Sequence, residues 1–386
     1  MGDKRIIYLD HAATSWPKPA SVTDAIMESL TGIAGSPGRG THGMSLQAGR
    51  GMNRARMNLS KLLGFQNPSD VAFTNNATMA LNLAIKGALG PGDHVITTVL
   101  EHNSVRRPLE YLKRTAGIEI DYLQVDPSGA IDLQKAKSLF RSNTKLVIAT
   151  HSSNLLGCIL PIKELTHMAH EHNAYMLVDG AQTAGNYPVH VEDMGVDLFA
   201  FPGHKGLLGP QGTGGLYIHP SMNLEPHMHG GTGSQSEQLE QPDIRPDRYE
   251  AGTPNVPGIS GLAAGVAEVT RIGVENIYNY EWNLTQRIIE RLQELKGIRL
   301  LGPEFGQPRT GIVSFILDGQ DPAQTAFELD RQFGIAVRAG YHCTPLGHYA
   351  SGTMTTGAVR ASVGYTTQEE DIDIFIQSIH LLNKKN

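Results

Sequence analysis

The sequence predicts an α/β fold: a large domain with a mostly parallel mixed sheet between helices, followed by a small α+β C-terminal domain. Strand-like and helix-like patterns alternate between about residues 70 and 218, and parallel strands need such crossover helices. The length of 386 residues suggests two to three domains at roughly 150 residues each. An apolar share of 40% supports a sizeable core and excludes disorder as the main theme.

The elements follow in order. A short strand is expected over 71–74, then a helix over 76–89 stopped by Gly90-Pro91-Gly92. Strands are expected over 94–100, 118–123 and 145–150, with helices over 106–115 and 132–140 between them. A helix over 161–173 has Pro161 at its first turn. Strands follow over 175–179, 196–201 and 213–218. Residues 233–257 are polar and turn-rich, a long functional loop or a subunit contact. Helices over 258–273 and 276–295 come next. A strand over 311–317, a helix over 324–333, a strand over 335–338 and a helix over 368–382 complete the small domain. The expected division is a large domain of 20–268, with 1–19 and 269–386 forming the small one.

Ligands of open α/β sheets bind beyond the carboxyl ends of the strands. Here those ends carry Glu101-His102-Asn103, His151-Ser152-Ser153-Asn154, Asp179-Gly180-Ala181-Gln182 and Pro202-Gly203-His204-Lys205. The helix opening at Asn76-Ala77-Thr78 points to the same edge and favours a phosphate. Singly, Asp179 reads as a helix N-cap, Lys205 as a solvated charge, His102 as a satisfied histidine and Asn154 as a turn residue. Their joint occurrence at successive strand ends points to one site. Aspartate, lysine and a phosphate cradle together suit pyridoxal 5'-phosphate: the amine meets the aldehyde and the carboxylate keeps the ring nitrogen protonated. A nucleotide site fits less well, because Gly209-Pro210-Gln211-Gly212-Thr213-Gly214-Gly215 precedes a strand and no G-x-x-x-x-G-K-[ST] is present.

His204-Lys205-Gly206-Leu207-Leu208-Gly209-Pro210-Gln211-Gly212 resembles the pyridoxal-lysine motif of class V aminotransferase-like enzymes. Tyr8-Leu9-Asp10-His11-Ala12-Ala13-Thr14, Asp179-Gly180-Ala181-Gln182 and Glu250-Ala251-Gly252-Thr253-Pro254-Asn255 resemble the same family. Arg338-Ala339-Gly340-Tyr341-His342-Cys343 resembles the Suf-type (group II) cysteine desulfurases, close to selenocysteine lyases. The resemblance runs from about Tyr8 to the C-terminus and implies the fold type I of pyridoxal-phosphate-dependent transferases. It implies that Lys205 holds the cofactor, Asp179 pairs with the ring nitrogen, Gln182 bonds the ring oxygen and His102 stacks on the ring and, as a catalytic residue with Lys205 and Cys343, shuttles protons. Ala77, Thr78 and His204 would hold the phosphate, and Thr253 would reach the phosphate of the other subunit of a homodimer. Asn154 would face the substrate carboxylate or ring oxygen, Arg360 would clamp the carboxylate and Arg338 would help organise the site. Cys343 would take the sulfur of L-cysteine as a persulfide, leaving L-alanine, and pass it to a sulfur-acceptor protein. A cation such as Arg338 or His342 would favour its thiolate.

Two departures stand out. Pro202 occupies a position where the family often has a serine that meets the phosphate. Arg360 follows Cys343 by 17 residues, a long interval for the Suf type, and residues 347–353 are expected to form their own wall over the site. Cys158, in an apolar run, reads as buried packing.

Rival readings are a selenocysteine lyase, another class V transaminase or lyase, a metal hydrolase and a binding module. The 16 histidines include the pairs His167/His170 and His227/His229, but no carboxylate stands at ligand spacing, so no metal is expected. A net charge of −6 argues against a nucleic-acid binder, and no apolar run is long enough to span a membrane. Two cysteines rule out a disulfide framework and fit a cytoplasmic protein.

Overall fold

The computed structural model describes residues 5–32, 35–38 and 40–384. In chain order β1 (Ile7–Tyr8) is followed by α1 (Ala20–Gly32), α2 (Gly43–Leu63), β2 (Val71–Thr74) and α3 (Ala77–Ala88). Next come β3 (His94–Thr98), α4 (Asn103–Ala116), β4 (Glu119–Leu123), α5 (Leu133–Ser138) and β5 (Thr144–Thr150). Then follow α6 (Ile162–Glu171), β6 (Tyr175–Asp179), β7 (Leu198–Pro202), β8 (Gly214–Ile218), α7 (Val256–Ile272) and α8 (Val274–Gln293). The remainder is β9 (Ile298–Leu301), β10 (Ile312–Leu317), α9 (Pro322–Glu328), β11 (Ile335–Ala336), β12 (Arg338–Gly340), α10 (Pro345–Ala350), β13 (Ala358–Ser362) and α11 (Glu369–Asn383).

Seven strands form the main sheet in the order β2-β8-β7-β6-β5-β3-β4. The pairs from β7 through to β4 are parallel, while β8 runs antiparallel to both β7 and β2. The sheet is therefore mixed and mostly parallel. Its strands read as near-continuous apolar runs because both faces are covered: Val147 and Val178 face one core layer, Ile148 and Leu177 the other. The chain leaves β3 toward β4 on one side and returns to β5 on the other, so the strand order reverses between β3 and β5. Such a reversal opens a crevice at the carboxyl ends.

A second sheet, β12-β13-β10-β9, is antiparallel, and β1 pairs with β11 in parallel. Phe315, Val359, Ile288 and Phe375 form its separate core, to which Ile7 and Leu9 of the N-terminal segment contribute.

Neither α1 nor α2 is among the expected elements. The buried stripe of α2 is Ala48, Met52, Ala55, Leu59 and Leu63, and its small residues and neighbouring Gly49 and Gly51 blur the apolar period. The expected strand over 335–338 is two short strands in different sheets, and the expected helix over 324–333 is α9 plus a π-helical turn at Leu329–Phe333. Strands β9 and β13 were absent from the expectation, as was α10 within the stretch after Cys343.

Candidate active site

Apolar strands stop where polar side chains begin, and those ends converge. Past β3, Glu101 is buried, with Oε1 accepting from Thr98 Oγ1 (2.7 Å) and from the Thr150 N–H (2.9 Å), so it ties the ends of β3 and β5. Burial pushes its carboxyl up to about 8. His102 caps α4, its Nδ1 accepting from the Ser104 N–H at 3.0 Å. A backbone N–H can only donate, so the neutral ring carries its proton on Nε2. Burial, then Lys205, hold this imidazole down at about 4. Ser104 Oγ lies 2.7 Å from Thr78 Oγ1 and 2.8 Å from His102 Nδ1, joining two predicted site residues. At α3, Asn76 Oδ1 accepts from the Met79 N–H (2.9 Å), while the Ala77 and Thr78 N–H groups fall in the first turn, where helices have no internal acceptor.

Asp179 ends β6 between β5 and β7, 3% exposed, its Oδ1 accepting from the Ala181 N–H at 2.9 Å. Burial raises its pKa, with Ala181 and Lys205 pulling the other way. A carboxylate this deep calls for a cation opposite it. Gln182 Nε2 donates to Ala12 O at 3.1 Å. Beyond β7, burial and then the Arg360 charge push the Lys205 amine down to about 8.

The N-terminal segment straps this loop in place. The carbonyl of His204, adjoining Lys205, receives Thr14 Oγ1 (3.1 Å), the Ser15 N–H (3.1 Å) and Lys18 Nζ (2.7 Å). Burial pushes Lys18 down to about 8. Eight residues earlier, Asp10 Oδ1 accepts from Arg360 Nη2 at 2.8 Å. Arg360, on β13, is 1% exposed, and its Nη1 donates to Asn154 O at 2.9 Å. Its Nε has no partner among the described residues. Burial lowers the Arg360 pKa and Asp10 opposes that shift.

Cys343 is a free, half-exposed thiol whose Sγ stands 4.0 Å from Arg338 Nη2. Of the two expected cations, only Arg338 is a charge beside the thiol: burial and the Arg360 charge push His342 down to about 3, leaving it neutral. Asn154 lines the same cavity and is also tied to the cysteine loop. Its Nδ2 donates one hydrogen to His342 O (2.6 Å) and its Oδ1 accepts from Thr344 Oγ1 (2.5 Å), which leaves its second amide hydrogen uncommitted.

Every named candidate except Thr253 lines one cavity: Ala77, Thr78, His102, Asn154, Asp179, Gln182, His204, Lys205, Arg338, Cys343 and Arg360. Thr253 is exposed and lines a different groove with Asn75, Met79 and Met228. Pro202 lines the main cavity at the end of β7. Ser104, Asp10 and Lys18 escaped the sequence reading. Only the position of Ser104 two residues after a strand-end histidine signals it, whereas Asp10 and Lys18 act across more than 180 residues.

The donor set suits an aromatic cofactor with a phosphate. His204 Nδ1 is buried without a partner among the described residues, beside the open first turn of α3, while Asp179 and Lys205 face the same space. Cys158 is buried in the main core, where burial pushes its thiol up to about 12. His170 pairs with Asp197 (2.9 Å) and His167 lies near Glu171 (3.3 Å) on the surface. No group of three metal-ligating side chains converges among the described residues.

The family model for aminotransferase class-V matches residues 7–375. A cysteine desulfurase of Haloferax volcanii is 36% identical over 97% of this chain and 88% of its own length. A probable cysteine desulfurase of Methanothermobacter thermautotrophicus is 35% identical over 97% of this chain and 94% of its own. The apo structure of a cysteine desulfurase from Thermococcus onnurineus NA1 superposes with a TM-score of 0.93 at 34% identity, covering 99% of this chain and 95% of that one.

Proposed function

The chain belongs to the class-V aminotransferase family, and from that premise we propose that it is a cysteine desulfurase, converting L-cysteine to L-alanine and taking the sulfur onto Cys343. The convergence of Lys205, Asp179, Arg360 and a half-exposed Cys343 on one cavity carries this reading.

The family depends on pyridoxal 5'-phosphate in general, and the residues here fit that group. Asp179 would hold the ring nitrogen as a cation, and the Ala77 and Thr78 N–H groups with His204 would take the phosphate. Gln182 retains a second amide hydrogen for the ring oxygen, and His102 would lie against the ring with Nε2–H outward. Pro202 offers no hydroxyl or N–H, which leaves the phosphate to those donors. When bound, the cofactor supplies an electron sink for the charge left as the substrate α-proton departs.

The other steps belong to this chain. Arg360 binds the substrate carboxylate with guanidinium hydrogens not taken by Asp10 and Asn154 O, which hold it in orientation. The Lys205 amine, held near 8, takes the α-proton at close to neutral pH. The Cys343 thiolate beside Arg338 attacks the substrate sulfur. The S–S bond forms as the C–S bond breaks, and the electron pair goes to the β-carbon, which gains a proton and becomes a methyl group; return of a proton from Lys205 to the α-carbon completes alanine. The Cys343 persulfide then passes to an acceptor protein.

The chain works as two units, 20–268 carrying Lys205 and Asp179, and 1–19 with 269–386 carrying Cys343 and Arg360; the separate core around Phe315 and Phe375 supports this division. It acts as a homodimer, with Thr253 reaching the partner's cofactor phosphate. The exposed Met228, Leu239 and Ile244 preceding Thr253 support that contact. No helix among the described residues is long and apolar enough to cross a membrane, and both cysteines are free thiols, which supports a cytoplasmic location.

Alanine formation from L-cysteine and L-selenocysteine, assayed in parallel for wild type and Cys343→Ala, tests the reading. The variant should lose cysteine turnover while keeping its bound cofactor. Full cysteine turnover without Cys343 would reject the sulfur-acceptor role, and borohydride-trappable cofactor in Lys205→Ala would reject the lysine.

A further inference from the structure

Cys343 and the residue before it both lie in left-handed backbone, at φ 58° for Cys343 and φ 49° for His342. Neither is glycine, so the turn is strained and persists only where surrounding contacts over-determine it. Two contacts come from the segments that follow β3 and β5: the Asn103 N–H donates to Cys343 O (2.8 Å) and Asn154 Nδ2 to His342 O (2.6 Å). A third lies within the turn, from the Thr344 N–H to Tyr341 O (2.9 Å).

The remaining support comes from α10, inside the long stretch between Cys343 and Arg360. Its His348 is fully buried and lies nearly parallel to the His342 ring, with centroids 5.6 Å apart and planes at 14°. His348 Nε2 is 3.4 Å from His342 Nδ1, and His348 Nδ1 is 2.7 Å from Thr353 Oγ1. His342 Nε2 in turn lies 3.4 Å from Arg338 O. One assignment of hydrogens satisfies the whole line: Thr353 O–H to His348 Nδ1, His348 Nε2–H to His342 Nδ1, and His342 Nε2–H to Arg338 O. The line ends on the residue whose guanidinium stands beside the Cys343 thiol.

We propose that His348 is a positioning residue for the nucleophilic thiol: it braces His342 from behind and so keeps the strained turn, and with it Cys343 Sγ, aimed into the cavity. His348 lies outside the cavity lining and acts only through its neighbour. The inference rests on Cys343 being the sulfur acceptor.

A substrate that needs no thiolate separates the brace from the rest of the site. With 3-chloro-L-alanine, loss of the α-proton is followed by departure of chloride with the C–Cl electron pair. The 2-aminoacrylate left behind hydrolyses to pyruvate and ammonia. The full-length holoenzyme is compared as wild type, His348→Ala, His348→Gln and Cys343→Ala. The readouts are alanine from L-cysteine, pyruvate from 3-chloro-L-alanine, and the alkylation rate of Cys343 by iodoacetamide.

His348→Ala should lose at least about tenfold in kcat on cysteine, because small misplacements of a reacting atom cost that much. Its turnover of chloroalanine should stay within about twofold, and its alkylation rate should shift by at least about threefold, as a displaced thiol requires. Glutamine at 348 keeps an N–H donor toward His342 and should recover most of the loss. Wild-type cysteine turnover in the alanine variant overturns the proposal. Equal loss on both substrates in both variants also overturns it, by assigning His348 to folding alone. Cysteine turnover surviving in Cys343→Ala removes the underlying reading instead, whatever the His348 variants do.

Discussion

Arg56 and Glu250 form an ion pair away from the cavity whose loss can be worked through from the structure. Arg56 Nη2 meets the two carboxylate oxygens of Glu250 at 2.5 and 2.6 Å, and the side chains are 7% and 14% exposed. The Phe73 N–H donates to Glu250 at 2.6 Å, and the guanidinium also lies over the Phe73 ring at 4.6 Å. Arg56→Met keeps an unbranched apolar stem and removes the charge. Glu250 is then a buried carboxylate with one N–H donor, and breaking a pair of this kind costs about 3–5 kcal/mol. The pH dependence has a definite sign. Burial already raises the Glu250 pKa, and Arg56 is the main force lowering it. Without Arg56 the folded-state pKa rises further above the unfolded one. A carboxyl raised in this way favours the folded state at low pH and loses that contribution as pH rises. Lowering the pH from 7.5 to 5.5 should therefore return up to about 1.4 kcal/mol per pH unit to the variant, relative to wild type. Urea unfolding of wild type, R56M and R56M/E250Q at both pH values measures this. The double variant should recover most of the loss, because a neutral amide still accepts from Phe73. A deficit in R56M below about 1 kcal/mol, or one unchanged between the two pH values, refutes the reasoning.

Three further outcomes follow from the site and its supports. Because the Lys205 amine is held near 8, capture of pyridoxal phosphate by the cofactor-free protein, followed by absorbance, should accelerate from pH 6.5 to 9 and level off above; a rise continuing to pH 10.5 contradicts this. Gly185 has φ +89°, and a Cβ there would lie 2.3 Å from Gly206 O, beside the lysine. Gly185→Ala should cost at least about 2 kcal/mol in urea unfolding and loosen the cofactor in dialysis, and a variant of wild-type stability refutes the contact. Native protein treated with iodoacetamide should alkylate Cys343 alone, with Cys158 reacting only after denaturation, as mass spectrometry of the two peptides would show.

The sequence exposed the site where chemistry interrupts a pattern. Val95 and Ile96 are buried, and the polar Glu101 and His102 follow within a few residues. The same break at Asp179 and Lys205 marks one edge of the sheet. Helices α1 and α2 stayed hidden because a stripe built on Ala48, Ala55 and glycine neighbours carries little hydrophobic contrast. The tie between Asn154 and the cysteine loop was also hidden. A turn residue at a strand end lies near the cavity in any case, but its bonds to His342 and Thr344 depend on a loop almost 190 residues later. The same distance conceals Asp10 as the partner of Arg360, although each lies in a recognisable motif.

The N-terminal strap also has a consequence for biosynthesis. Residues 7–15 leave the ribosome well before their partners Gly334, Ala336, Ser362 and the carbonyl of His204. Pairings of such sequence separation close late, after the loop entropy between them has been overcome. A nascent chain can assemble the seven-stranded sheet while the strap still hangs free and Arg360 and Cys343 are not yet made. The His204–Lys205 loop is pinned and Arg360 is held by the same short segment, so both contacts close only after Arg360 has been made. A chain not yet made as far as Arg360 therefore lacks part of the cavity's lining.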